Sequence, residues 1–295
     1  MPRPIQTALT RAISQGTAAR TLPHVRNRAD ELNGQLATGL RIQRPSDDPG
    51  GFARAKELGQ VQDRLASYTR GIDAAQLWVD RTQTELDGLG ELFTRAYEAG
   101  LRAANGVLDG DELAAEVESA RDEAVARLTT ASGGEYLFAG NQTTTRPLDA
   151  TGAVAAGDFS GQRLREVAPG LTIAVNTTDA LQVGGVPATD RLQALADAIR
   201  SGDQGAMRTA VEGVQAGIDH YARLGGRNGT TSRQLAHARA SNEIQGVVLG
   251  ERRAAIEEIN LAEVLSASQR QQTALEAALR ATATSVQTSI MNYLR

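Results

Sequence analysis

The 295-residue chain is 41% hydrophobic and 3% aromatic, and carries 31 basic and 35 acidic side chains for a net charge of −4. This size allows one real core or a division into two or three domains, and the charge balance leaves no polybasic footprint for nucleic acid and no acidic tail. The absence of cysteine excludes a disulfide framework, a thiolate zinc site, an iron–sulfur cluster and a cysteine nucleophile, and three histidines (His24, His220, His237) leave little for a multi-histidine metal site. So few aromatics suit long helices packed through small and aliphatic residues rather than a compact core. No run of 18 apolar residues predicts a membrane span.

The first 29 residues hold five arginines and no acid, as a transit peptide can. A weak apolar spacing (Ile5, Leu9, Ala12, Gly16) and then a firmer one (Leu22, Val25, Ala29, Leu32, Leu36, Leu40) instead predict an amphipathic helix of the mature protein, with Pro23 kinking or restarting it. In RIQRPSDDPGGF, Asp48 is a good N-cap and Pro49 a good first-turn residue, while Ser46 and Asp47 add local acceptors. Pro45 to Pro49 therefore read as a hinge and helix cap.

The strongest signal follows. Leu58, Val61, Leu65, Tyr68, Ile72, Ala75, Val79, Thr82, Leu86, Leu89, Phe93, Ala96 and Gly100 recur at steps of three and four, and only Thr82 and Gly100 are not apolar. A period of 3.5 predicts one long coiled-coil helix and an elongated protein. Asn105, Gly106, Asp109 and Gly110 mark its end, and Asp111 is expected to cap an antiparallel helix with Leu113, Val117, Ala120, Ala124 and Leu128 on one face.

From Gly133 to about Pro187 the heptad vanishes. Tyr136–Gly140, Leu164–Val167 and Leu171–Val175 read as short strands separated by turn residues. Helices resume near Asp190, with Leu192, Leu195, Ala198 and Ile199 on one face, then Met207, Val211, Val214, Ile218 and Tyr221. LGGRNGTT (224–231) is expected to break the helix on propensity. A second seam runs Leu235, Ala238, Asn242, Gln245, Leu249, Arg252, Ile256, Ile259, and slips phase near Asn260. The last seam is Leu261, Leu265, Ser268, Gln272, Leu275, Leu279, Thr282, Val286, Ser289, Tyr293.

The slip at 260 mirrors the loop at 44–51, so a hairpin brings the two breaks together as one hinge. The fold class expected is mainly α with a small β insert: an elongated antiparallel bundle with nested terminal helices. The domains expected are a terminal coiled coil (1–43 and 260–295), a helical arm (44–132 and 188–259) and a β-rich outer domain (133–187). The weakly apolar terminal seams predict helices that order only with partners.

No chemistry accompanies this pattern. There is no GxxxxGK phosphate loop, no GxGxxG after a strand, no HExxH and no GxSxG. Asp47 and Asp48 read as capping groups rather than a catalytic pair. His220 and His237 fall on separate predicted helices, Glu112, Glu116, Glu118, Asp122 and Glu123 form a solvated face, and Trp78 packs on a neighbouring helix. No catalytic residue, cofactor or metal site is assigned, and the chain is not expected to be an enzyme.

Leu32–Ala55 (LNGQLATGLRIQRPSDDPGGFARA) resembles the N-terminal segment of bacterial flagellins and hook-associated proteins, and Asn260–Arg295 resembles their C-terminal segment. The prolines flanking SDD, the GGEYLFAGNQTTTRPL segment (133–148) and LAEVLSASQRQQTALEAA are closest to the subfamily at the hook–filament junction. Pro23, the glycines at 225–229 and the final Leu-Arg depart from it. The resemblance implies a structural subunit of an axial tube, exported through the flagellar type III channel without a cleaved signal and located in the extracellular flagellum. Its implied partners are copies of itself, hook-associated protein 1, flagellin and an export chaperone, with no nucleic acid and no membrane insertion. The assembly interface expected comprises Leu22, Val25, Leu32, Leu36, Leu40, Leu261, Leu265, Leu275, Leu279, Val286 and Tyr293. A short flagellin, or a coiled-coil adaptor unrelated to flagella, are the other readings of the same features.

Overall fold

The computed structural model describes residues 22–106 and 110–293, with side chains to residue 283. The weak spacing of residues 5–21, and Asp109, lie outside the described residues. The chain is mainly α with three small two-stranded antiparallel sheets. Helix α1 covers 22–38. Helices α2 (Pro49–Ala104, 56 residues) and α3 (Gly110–Leu128) follow. The strands are β1 (Ala131–Ser132), β2 (Glu135–Tyr136), β3 (Leu164–Ala168), β4 (Leu171–Ala174), β5 (Gln182–Val183) and β6 (Val186–Pro187). Then come α4 (Ala188–Ser201), α5 (Gln204–Glu257, 54 residues) and α6 (Leu261–Tyr293). Two compact units divide the chain: residues 63–246 form one, and 1–62 with 247–295 the other.

In α2 the three-four spacing lies on the inward face. Every one of its thirteen seam positions from Leu58 to Gly100 is buried or half-buried, including the two that are not apolar. In the 63–246 unit α2 and α5 run antiparallel. Asn228 Nδ2 donates to the carbonyl of Val79 at 2.9 Å, Gly217 sits against Phe93, and Gly100 against Val211. The glycines are steric necessities there, because a Cβ at Gly217 would overlap the Phe93 ring. α3 returns antiparallel along α2, with Arg95–Glu123 at 2.8 Å and Arg102–Glu116 at 2.7 Å. α4 packs on α3 through Arg200–Glu118 and Arg121–Gln193. The main core is built from Leu86, Leu89, Phe93, Leu113, Leu192 and Tyr221, with Leu137, Phe138 and Phe159 from the insert. Burial raises the Tyr221 phenol, whose hydroxyl donates to the Ala180 carbonyl.

Several expectations need correction. The glycine-rich 224–231 segment does not interrupt α5. Its intrinsic cost of ~1 kcal/mol per glycine is outweighed by packing, since Leu224, Asn228 and Leu235 are buried on either side of the glycines. His220 and His237 therefore share one helix. Leu137–Gly140 are turn, not strand. Leu137, Phe138 and Ala139 plug the core, and Gly140, at φ 63°, allows the backbone of Phe159 to lie where a Cβ would sit. Gln245 and Arg252 of the second seam are exposed. Asp111 lies inside the first turn of α3, which starts at Gly110. Trp78 is buried in the main core as expected, and the Arg163 guanidinium lies over its ring, 4.7 Å from the centroid. Of the five acids expected to be solvated, Glu116, Glu118 and Glu123 bond arginines of α2 and α4, because α3 is sandwiched between them.

Strands β3 and β4 form a hairpin with Leu164 opposite Ala174 and a bulge between Glu166 and Ala168. Its inner residues Val167, Ile173 and Val175 join a second core with Ile72, Ala75, Val79 and Leu235.

Candidate assembly surface at the chain ends

In the unit formed by 1–62 and 247–295, α1 ends at Gly39. The residue adopts φ 73° and its N–H donates back to the Gln35 carbonyl at 2.8 Å, a left-handed cap that an L side chain would strain. The chain then pairs with the end of α5. Leu40 and Glu258 form an antiparallel bridge, the Arg41 N–H donates to the Glu257 carbonyl at 2.6 Å, and the Ile259 N–H to the Gly39 carbonyl at 3.1 Å. Arg41 also donates through its guanidinium to the Ile256 carbonyl at 2.7 Å. The segment that leads into the 44–51 loop thus pairs with the end of α5, just before the break at 260.

The loop that follows is bound up by local hydrogen bonds. Asp47 accepts the N–H groups of Arg44 (2.8 Å) and Gln43 (3.0 Å), and these bonds, Arg44 first, hold its carboxyl below the usual range. Asp48 caps α2 by accepting the Gly51 N–H at 2.9 Å, and Pro49 is the first helical residue. Gly51 leaves room for that carboxylate and for buried Ile42. Pro45 and Ser46 are exposed on the outer rim.

The eleven expected interface residues separate by environment. Leu32 is buried, with Ala29 beside it, and Leu22, Val25, Leu36, Leu40 and Leu275 are half-buried. Leu261, Leu265 and Leu279 are 58%, 45% and 50% exposed. Val286 and Tyr293 lie on the backbone of α6, and their side chains are outside the described residues. Besides half-buried Ala267, the sheltered stripe of α6 runs Val264, Ser268, Gln271, Leu275, Ala278 and Thr282. Their spacing is also four-three-four, and Gln271 Nε2 reaches the Val25 carbonyl at 2.8 Å. Two seams therefore run side by side on α6 and share Ser268, Leu275 and Thr282. One faces α1, and the other, through Leu261, Leu265, Gln272 and Leu279, is open. Gln271 and Ala278 were not identifiable from the heptad alone, because the leucines drew the seam one residue over.

Among the described residues no group of three His, Asp or Glu side chains could hold a metal, and no helix is long and apolar enough to cross a membrane.

Residues 10–143 match the bacterial flagellin N-terminal helical region. The chain is 33% identical over 117 residues to flagellar hook-associated protein 3 of Escherichia coli K12, which covers 38% of this chain and 37% of that protein. It is 32% identical over 135 residues to flagellar hook-associated protein 3 of Salmonella typhimurium, 44% of this chain and 43% of that one. The matches thus span about two-fifths of the length of these curated relatives. The fold is that of a flagellar hook-associated protein structure from Vibrio parahaemolyticus, with a TM-score of 0.66, 21% identity, and 72% of this chain and 100% of that one covered. The N-terminal part of this chain is thus similar to the helical region of bacterial flagellins and, in part, to hook-associated protein 3, and its helical fold is one found in flagellar hook-associated proteins.

Proposed function

We propose that the chain is a structural subunit of the bacterial flagellum, joining the hook, through hook-associated protein 1, to the flagellin filament, and that it catalyses no reaction. The observation that carries this reading is the doubled seam of α6. Its leucines at 261, 265 and 279 stand in solvent at heptad spacing beside a seam already filled by α1. A helix with one satisfied and one open apolar stripe is suited to bundling with further helices. In this reading the terminal helices (1–43 and 260–295) line the inner tube, the arm (44–132 and 188–259) forms the next layer, and the insert (133–187) is outermost. Such a subunit travels unfolded through the flagellar export channel, with a chaperone holding its C-terminal helix until secretion.

Deleting the gene tests the role. Loss of filaments with flagellin monomer appearing in the medium supports a junction subunit. Retention of filaments overturns it, and thousands of copies along each filament assign the chain as a short flagellin instead. A chain lacking 1–40 and 260–295 is expected to fold but not to join flagella.

A further inference from the structure

We propose that neighbouring copies of this chain are held side by side by an ionic contact between the outward face of α5 on one copy and the outward face of α3 on the next. The contact rests on the junction-subunit reading and adds to it a specific surface.

The first observation is a charge anomaly. From His220 to Asn242, α5 carries four arginines and no acid, while the remaining residues hold 27 basic and 35 acidic side chains. Arg239 is spoken for by Asp73 at 3.4 Å and Glu243 at 3.0 Å. The other three are exposed and lie on or beside one stripe, Arg223–Arg227–Thr230–Gln234, which repeats at four, three and four. Arg233 donates only to Thr230, and Arg223 and Arg227 make no hydrogen bond or ion pair among the described residues. Gly226 lies bare on the same face, with nothing within 4 Å of where a Cβ would be. Such a face admits another helix closely and presents three guanidinium groups to it.

The second observation is a complementary face in the same unit. Helix α3 turns outward Glu112, Ala115, Ser119, Asp122 and Ala126, all exposed, at steps of three and four and without a basic residue among them. The sole ion pair of Asp122 among the described residues is a long one, 3.8 Å to Arg121, and Glu112 has none. Small residues fill the positions between the acids. At 1.5 Å per residue the acidic face is about 21 Å long and the basic stripe about 17 Å, so the two match in length, charge and smoothness.

Because the faces differ and each stays open when the other is used, the contact is head-to-tail. That geometry generates a ring or an open helix, whereas a two-fold pairing would end at a dimer. Arginine-rich, small-residue contacts of opposite charge fix register and partner choice.

Charge exchange in the full-length chain tests the contact, with copies per flagellum quantified in sheared flagella. R223E/R227E/R233E and E112R/D122R are each expected to lower the copies at least tenfold while the exported chain appears in the medium, with wild-type helicity and Tm. Combining the five substitutions is expected to restore incorporation to within twofold. Since the chain has no cysteine, oxidising flagella that carry S119C with T230C should yield a ladder of linked copies that neither single variant gives. Wild-type incorporation of both reversed variants, or a combination no better than its parts with no ladder, overturns this contact and leaves the junction role standing. A wild-type chain absent from flagella overturns both.

Discussion

Helices α2 and α6 carry the same three-four spacing, and among the described residues only α2 closes it. In the 63–246 unit α2 is flanked by α3 and α5, so Leu86, Leu89 and Phe93 are fully enclosed. In the other unit α6 has its own contact seam, and Leu261, Leu265 and Leu279 of the neighbouring seam face solvent. Periodicity states that a helix has an apolar stripe; the number of neighbours decides whether that stripe is a core or a surface left for others. The same leucine is therefore a stability residue in one helix and, in the proposed assembly, a contact residue in the other.

The sharpest way to break this comparison is a pair of truncations. Leu89→Ala is expected to cost about 2–5 kcal/mol, the usual range for an enclosed leucine, in urea unfolding followed by circular dichroism. Leu265→Ala, already half in water, should leave the unfolding midpoint of the monomer within error and lower incorporation into flagella. If both variants lose similar stability, the two seams are not different in kind.

A second pair concerns the glycines of α5. Gly217→Ala drives a methyl into the Phe93 ring and should destabilise by about 1–3 kcal/mol, as overpacking does. Gly226→Ala meets open space and should stabilise by up to about 1 kcal/mol through helix propensity. Thermal melts of the two variants should move in opposite directions.

The cap of α2 is expected to contribute less. Asp48→Ala removes the acceptor of the Gly51 N–H and should cost about 1 kcal/mol, with Asp48→Asn nearly neutral. Thermal denaturation separates the two.

The smallest effect is that of pH. Arg200 holds Glu118 below its ordinary range, Arg95 and then Arg127 do so for Glu123, and Thr143 and then Arg163 for Glu135. Carboxyls lowered by folding contribute stability that is fully present above the ordinary carboxylate range, near pH 4.5, and is lost as pH falls through the lower folded values. Tm should be flat from pH 7 to about 5 and then decline. Glu118→Gln with Glu123→Gln should make that decline shallower. All three carboxylates belong to the 63–246 unit, so the acid-sensitive step should report its unfolding.

Much of this was legible in the residues. The α2 seam, the inward faces of α3 and α4, the strands β3 and β4, the Asp48 cap and the approach of the chain before the 44–51 loop to the end of α5 all follow from patterns repeated over many positions or from local capping chemistry. The misreadings share one physical cause. Glycine at 225, 226 and 229 was weighed by intrinsic propensity, which counts about 1 kcal/mol each, without the packing of Leu224, Asn228 and Leu235 that holds α5 straight. Leu137 to Gly140 are apolar enough for a strand and are buried as a turn, because Gly140 allows an approach that only the fold reveals. On α6 the leucines marked the open stripe, and the occupied one uses Ser268, Gln271, Ala278 and Thr282, which hydropathy does not flag.

The sequence by itself determined where most of the helices begin and which residues form their repeating stripes, because spacing and caps act over a few residues. Only the tertiary structure decided which apolar stripe is already covered, which carboxylates are paired and which arginines face outward. Those properties depend on what the folded chain brings within a few ångströms, and no window of neighbouring residues contains that information.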